Sequence, residues 1–138
     1  MGSPREVVEA VYAAFARGDL PGVLACLDER VDWRFPGAPA VPYGGRYVGI
    51  DAVAQFFQIL LDHVEFPRFE TRDFAVEGDT VLVRGGETGR IKASGALFEN
   101  DWAMVWTVHN GKIAALQSYE DTAAIVAAFR AAKPKGDE

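Results

Sequence analysis

The chain has 138 residues, a formal net charge of −6 and a composition of 49% hydrophobic, 12% aromatic and 25% charged residues. That length suits one domain, and a domain near this size buries roughly 68–70% of the surface its unfolded chain exposes. The charge argues against nucleic acid and anionic membrane as partners, because the only basic stretch, Lys133 and Lys135, is followed directly by Asp137 and Glu138.

Ser3-Pro4-Arg5-Glu6 is a capping-box pattern with proline at the first helical position. Val7, Val8, Val11, Tyr12 and Phe15 then recur at helical spacing up to Gly18-Asp19, and a short second helix carries Val23, Leu24 and Leu27. Val31–Phe35 reads as a short strand. Pro36 to Arg46 holds three prolines and three glycines and reads as a loop. Asp51 can cap a third helix with Val53, Phe56, Phe57, Leu60, Leu61 and Val64 on one face.

The pattern then changes to strand period. Phe66–Glu77 and Thr80–Lys92 meet at Gly78-Asp79, and Leu97–His109 and Lys112–Tyr119 meet at Asn110-Gly111, a strong two-residue hairpin signal. Asp121 or Thr122 starts a last helix to about Ala132. Helices followed by an antiparallel meander predict an α+β domain over residues 1–132 and a charged tail over 133–138. A curved sheet wrapped on helices leaves a concave face, which is the natural pocket.

Cys26 is the sole cysteine, so no intramolecular disulfide can form, which fits a reducing compartment. Arg5, Glu6 and Glu9 stand where a signal peptide needs an apolar run, and the longest apolar runs, such as Ala123–Phe129, are too short to span a bilayer. The expectation is a soluble, cytoplasmic protein. His63, His109 and Cys26 have no metal-ligand spacing, and neither a nucleophile elbow nor a phosphate loop occurs, so no metal or cofactor is expected. Gly85-Gly86 and Gly89 in a strand context suggest a bulge.

Several local motifs occur in a fixed order. They are Phe15-Ala16-Arg17-Gly18-Asp19-Leu20, Val31-Asp32-Trp33-Arg34-Phe35-Pro36-Gly37, Tyr47-Val48-Gly49-Ile50-Asp51-Ala52-Val53, Asn110-Gly111-Lys112-Ile113 and Tyr119-Glu120-Asp121-Thr122. This set, running from about residue 5 to 130, resembles the SnoaL-like, nuclear-transport-factor-2-like superfamily of polyketide cyclases, ketosteroid isomerases and limonene-epoxide hydrolases. The resemblance implies a cone-shaped, cystatin-like α+β barrel. It leaves the reaction open, since such folds host many functions.

Matched to that family, the cavity face takes Asp32 and Arg34 from the first strand and Val83, Gly85, Glu87 and Gly89 from the second long strand. The third long strand offers Asn100, Trp102, Met104 and Trp106, and the fourth Leu116, Ser118 and Glu120. Val64, Phe66 and Phe69 would close the apolar end. The well-known active sites of the family are not intact. Arg34 stands where ketosteroid isomerases place a general-base aspartate, Met104 near their oxyanion-hole acid, and Val11 at their helix-one tyrosine. The positions of the epoxide hydrolases' Asp–Arg–Asp set with its Tyr and Asn hold Glu87, Gly85, Ser118, Asp32 and Arg34.

Glu87 and Glu120 are the sharpest catalytic candidates, because an apolar pocket raises a carboxyl pKa toward neutrality and suits it to move protons. Pairing with Arg34 or Arg90, or a wet rim, would remove that role. Arg34 could orient a ligand oxygen, or form an internal salt bridge with Asp32 or Glu120. Trp102, with Met104, would pack on a ring, whereas Trp106 reads as core. Tyr43 lies on a loop that could act as a lid, although a surface aromatic is the simpler reading there. Tyr12 reads as core with its hydroxyl at the cavity. Asp121 reads as a helix cap.

The function expected is therefore cofactor-free isomerase, cyclase or hydratase-type acid–base chemistry on a compact apolar carbonyl or ring compound. The alternative is a non-catalytic small-ligand-binding dimer. Val105, Thr107, Ala115 and Tyr119 would leave an apolar convex face, which a two-fold homodimer would cover.

Overall fold

A computed structural model of the chain describes residues 2–131. The expected tail over 133–138 and the last residue of the final helix, Ala132, lie outside them. The Ser3 hydroxyl accepts from the Glu6 amide and the Glu6 carboxylate accepts from the Ser3 amide, so the capping box opens α1, Pro4–Ala16. Asp19 caps α2, Leu20–Ala25. Leu27, expected on that helix, instead begins β1, Leu27–Phe35.

β2, Gly45–Val48, pairs antiparallel with β1 and takes the end of the expected loop into the sheet. α3 follows over Ile50–His63, then β3 over Val64–Glu77, β4 over Thr80–Ile91, β5 over Leu97–His109, β6 over Lys112–Tyr119 and α4 over Thr122–Ala131. Asn110 and Gly111 both have positive φ, the conformation a two-residue hairpin needs between β5 and β6.

The sheet has six strands in the order β2-β1-β6-β5-β4-β3. β1 runs parallel to β6, so the first strand after the helices crosses to the far side of the meander that ends the chain. This α+β sheet curls over α1 and α3. Their apolar stripes (Val8 and Val11, then Val53, Phe56 and Leu60) are buried against its concave face.

Two irregularities shape the inner face. On β3 the pairing with β4 slips between Glu65 and Arg68. Phe66 and Phe69 are three residues apart and would otherwise face opposite ways, but this bulge turns both inward. On β4 the glycines make room for rings. Gly85 lies opposite Trp102 and Gly89 opposite Phe98, and a Cβ on either glycine would collide with the facing ring. β4 pairs with β5 without a register shift, but its pairing with β3 slips between Thr71 and Asp73, opposite Gly85, so a bulge does lie at this glycine, with its extra residue on β3.

Candidate functional site

The concave face encloses a chamber of about 60 Å³. Its wall is aromatic and aliphatic: Val11, Tyr12 and Phe15 from α1, Phe56, Phe57 and Leu60 from α3, and Met104, Trp106 and Leu116 from β5 and β6. Two carboxyl side chains reach it, Glu87 and Glu120. The Trp106 indole N–H donates to the Tyr12 hydroxyl at 3.1 Å, and that hydroxyl in turn donates to the Met104 sulfur at 3.1 Å. The Tyr12 hydroxyl is thus committed to the wall, and burial pushes its pKa up.

The two carboxyls share one bridging group. Asn100 Nδ2 donates to Glu87 Oε2 at 3.2 Å and to Glu120 Oε1 at 2.7 Å. The direction of this amide is fixed, because its Oδ1 accepts the Asp121 backbone N–H at 2.7 Å. Ser118 Oγ donates to Glu120 Oε2. Glu87, Asn100 and Ser118 are 5%, 1% and 0% exposed. Local geometry explains the grouping. Glu87 and Asn100 are direct cross-strand partners on β4 and β5, and Glu120 leaves the end of β6 just before Asp121 caps α4 through the Ala124 amide.

Burial, with Glu120 nearby, raises Glu87 to about 8. Burial also raises Glu120, opposed by the donors Ser118 and Asn100. Glu120 has two donors for its anion and Glu87 has one, so Glu120 ionises first and Glu87 keeps its proton near neutral pH. Donors that favour one anion over the other are the kind of arrangement that separates a base from an acid. The Tyr43 phenol also feels both carboxyls, and burial is the main cause of its raised pKa.

Of the residues expected here, Glu87, Glu120, Met104, Leu116, Phe66, Phe69 and Tyr43 line the chamber. Asn100 and Ser118 stand behind the carboxyls and hold them. Asp32 and Arg34 do not belong to the site. The inward residues of β1 are Val31, Trp33 and Phe35, and the latter two line the chamber. Asp32 and Arg34 point the other way. There the Asp32 carboxylate pairs with Arg46 at 3.0 Å and Arg34 at 3.2 Å, which lowers its pKa to about 2.

Trp102 is also displaced from its expected role. It is buried over Gly85 and stacked behind Phe69 and Tyr12, with centroids 5.3 and 5.8 Å apart, and Trp106 is the tryptophan of β5 on the chamber wall. Tyr43 is no surface aromatic. It is 4% exposed, edge-on to Phe56 and near Phe129, and pins its loop across the chamber.

Sequence reasoning placed Phe56, Phe57 and Leu60 on one helix face but did not assign them to the cavity. It missed Trp33 and Phe35 there, although the apolar alternation Val31, Trp33, Phe35 carried the signal. Among the described residues no three His, Cys, Asp or Glu side chains converge as a metal site requires, and no helix is long and apolar enough to cross a membrane.

The model of the SnoaL-like domain matches residues 8–116. The chain belongs to this SnoaL-like family. Among solved structures it is similar to an NTF2-like protein of Burkholderia xenovorans LB400, with 35% identity and a TM-score of 0.83 over 91% of this SnoaL-like chain and 95% of the other. It is also similar to an NTF2-like protein of unknown function from Burkholderia pseudomallei K96243, at 30% identity and a TM-score of 0.85 over 94% and 98%. A third relative is TerC, co-crystallized with polyporic acid, at 26% identity and a TM-score of 0.83 over 93% and 99%. No curated protein matches the sequence.

Proposed function

We propose that this SnoaL-like protein is an acid–base catalyst of the isomerase or cyclase type acting on an apolar carbonyl or ring compound. The observation that carries the reading is a buried carboxyl, Glu87, and a half-buried one, Glu120, bridged by one asparagine and facing a chamber with an aromatic wall. Ionised Glu120 removes a proton from the carbon beside a ligand carbonyl, and protonated Glu87 gives its proton to the carbonyl oxygen. The products of that step are an enol, neutral Glu120 and ionised Glu87. With an unsaturated ketone the enol is a dienol: Glu120 gives its proton to the γ-carbon and the enol O–H gives its proton back to Glu87, which completes an isomerisation and restores both groups. The co-crystallization of TerC with polyporic acid supports a ring compound as the ligand class.

With Arg34 outside, the polar groups on lining residues that can orient the oxygen are Glu87, the Tyr43 phenol and the indole N–H of Trp33, unpartnered among the described residues. Hydrogen–deuterium exchange at the α-carbons of a panel of cyclic ketones and enones, followed by NMR, tests the reading. Glu120→Gln is expected to lower exchange by about 10²-fold or more, the size of a general-base contribution. Exchange that is equal in wild type, Glu120→Gln and Glu87→Gln would remove proton transfer and leave a binding protein.

The convex face supports a homodimer as part of the same proposal. Leu82 and Tyr119, 39% and 58% exposed, flank half-buried Ala103 and Val105 on neighbouring strands. Sedimentation of wild type and Val105→Arg tests it. A dimer that becomes a monomer is expected, and a monomeric wild type rules the interface out.

A further inference from the structure

The chamber of about 60 Å³ has room for a few water molecules, whereas sites for cofactors and small ligands occupy roughly 300–1,000 Å³. Any ligand that reaches Glu87 and Glu120 must therefore extend beyond the chamber. Three rings mark where. Phe15 from α1 and Phe66 and Phe69 from β3 form a triangle with centroids 5.2, 6.1 and 6.2 Å apart. Their inner side lines the chamber, and their outer side lines a surface groove of about 440 Å³ completed by Ala16, Gly18, Leu20 and Leu61. One layer of half-buried rings is all that separates the two spaces.

Part of this layer is only loosely tied into the sheet ladder. Phe66 and Phe69 both sit on β3, the edge strand of the sheet; Phe66 lies beside Pro67 within the irregular pairing between Glu65 and Arg68, and Phe69 follows just after it, paired with Glu87. Proline supplies no N–H to the ladder. The groove floor is open at Gly18, where an added Cβ would meet nothing within 4 Å. None of the groove's lining residues is charged. Carboxyls therefore stand at one end of the combined space, with apolar surface alone at the other.

Resting on the reading of the chamber as a ligand site, we infer that chamber and groove are the two halves of one site. Its ligand is elongated, with a hydroxyl or carbonyl ring at Glu87 and Glu120 and an apolar arm that passes Phe66 and Phe69 to lie along Leu20 and Leu61. The arm contributes affinity by burial, and the head sets the chemistry.

Calorimetric titration of the full chain with phenol, 4-butylphenol and 4-hexylphenol tests the inference. These probes have a hydroxyl head and growing arms, and their binding is read without any turnover. In wild type the Kd falls with arm length, by about fourfold for each buried methylene. Leu61→Trp fills the groove and erases the gain from the arm, so that Kd no longer falls from phenol to 4-hexylphenol. Leu20→Trp does the same from the opposite wall and serves if the first variant does not fold. Leu116→Trp fills the chamber and abolishes binding of all three probes. No gain with arm length, a gain that survives in the groove-filling variants, tight 4-hexylphenol binding to Leu116→Trp, or no binding at all each overturns the two-part site. The acid–base reading stands or falls separately, on ketone exchange in Glu120→Gln.

Discussion

Asp32 on the outer face of the sheet and Glu87 on its inner face show what surroundings do to one functional group. Asp32 sits between two exposed guanidinium groups, and its pKa is drawn down to about 2. Glu87 is buried among rings, with an asparagine and a second carboxyl as its polar neighbours, and is pushed up to about 8. The pattern extends along both faces. Outside, Arg68 and Arg72 tie Glu70, Glu99 and Asp101 into a ladder across β3, β4 and β5. Inside, among the described residues, neither Glu87 nor Glu120 forms a salt bridge, and Arg68 acts on Glu87 only as a weaker, opposing charge. The outer acids meet guanidinium groups and solvent, whereas burial raises both inner carboxyls and lifts Glu87 to about 8.

The largest break in this contrast comes from fixing Glu87 in its neutral form. A carboxyl raised in the folded state binds its proton more tightly there than in the unfolded chain. Stability therefore falls as pH rises from the ordinary value of 4.5 through about 8, and levels off above. Glu87→Gln keeps the shape and can still accept from Asn100, but it carries no charge. The variant should match wild type near pH 4.5 and exceed it by a few kcal/mol at pH 9, since each tenfold gain in proton affinity on folding is worth ~1.4 kcal/mol. A residual slope from Glu120 remains in both. Urea unfolding at the two pH values measures this, and parallel pH curves for the two proteins would mean that Glu87 is not held neutral.

Asn100→Leu should have the next largest effect. It removes the shared donor of both carboxyls and leaves the Asp121 amide without its acceptor. Glu120 keeps Ser118, which leaves Glu87 and the Asp121 amide without a partner; at about 1–3 kcal/mol for each orphaned group, a loss of about 2 kcal/mol or more is expected at pH 8. The loss should shrink at pH 5, where Glu87 is neutral and needs the donor less. A loss independent of pH would reduce Asn100 to a packing residue.

What the sequence revealed of all this follows the range of the forces. The capping box at Ser3, the hairpin at Asn110-Gly111 and the long strands β4 to β6 are set by neighbours along the chain, and all are where the pattern puts them. Because β4, β5 and β6 keep their alternation, Glu87, Asn100, Ser118 and Glu120 were legible as one inward group. β1 was misread by matching it to relatives, when its own alternation of Val31, Trp33 and Phe35 already sent Asp32 and Arg34 outward. Tyr43 was hidden by the prolines and glycines around it, since its burial against Phe56 and Phe129 joins distant segments. The exchange of roles between Trp102 and Trp106 depends on how the sheet curls over α1, which no local pattern records.

Asp32→Asn should have the smallest effect and sharpens the contrast from the other side. The Asp32 side chain is 27% exposed, and those of its partners Arg34 and Arg46 are 49% and 60% exposed. Solvent screens such pairs, and exposed ion pairs contribute about 0–1 kcal/mol. The depressed pKa means that any contribution is present above the ordinary carboxylate value and is lost as pH falls toward about 2. Asp32→Asn should therefore lower stability at pH 7 by less than about 1 kcal/mol, by an amount that shrinks further in 1 M salt. Exchange at ketone α-carbons should be unchanged, because the side chain lies on the face away from the chamber. A large loss of exchange in Asp32→Asn, with stability preserved, would return this residue to the site and reverse the orientation of β1 on which the inner group rests.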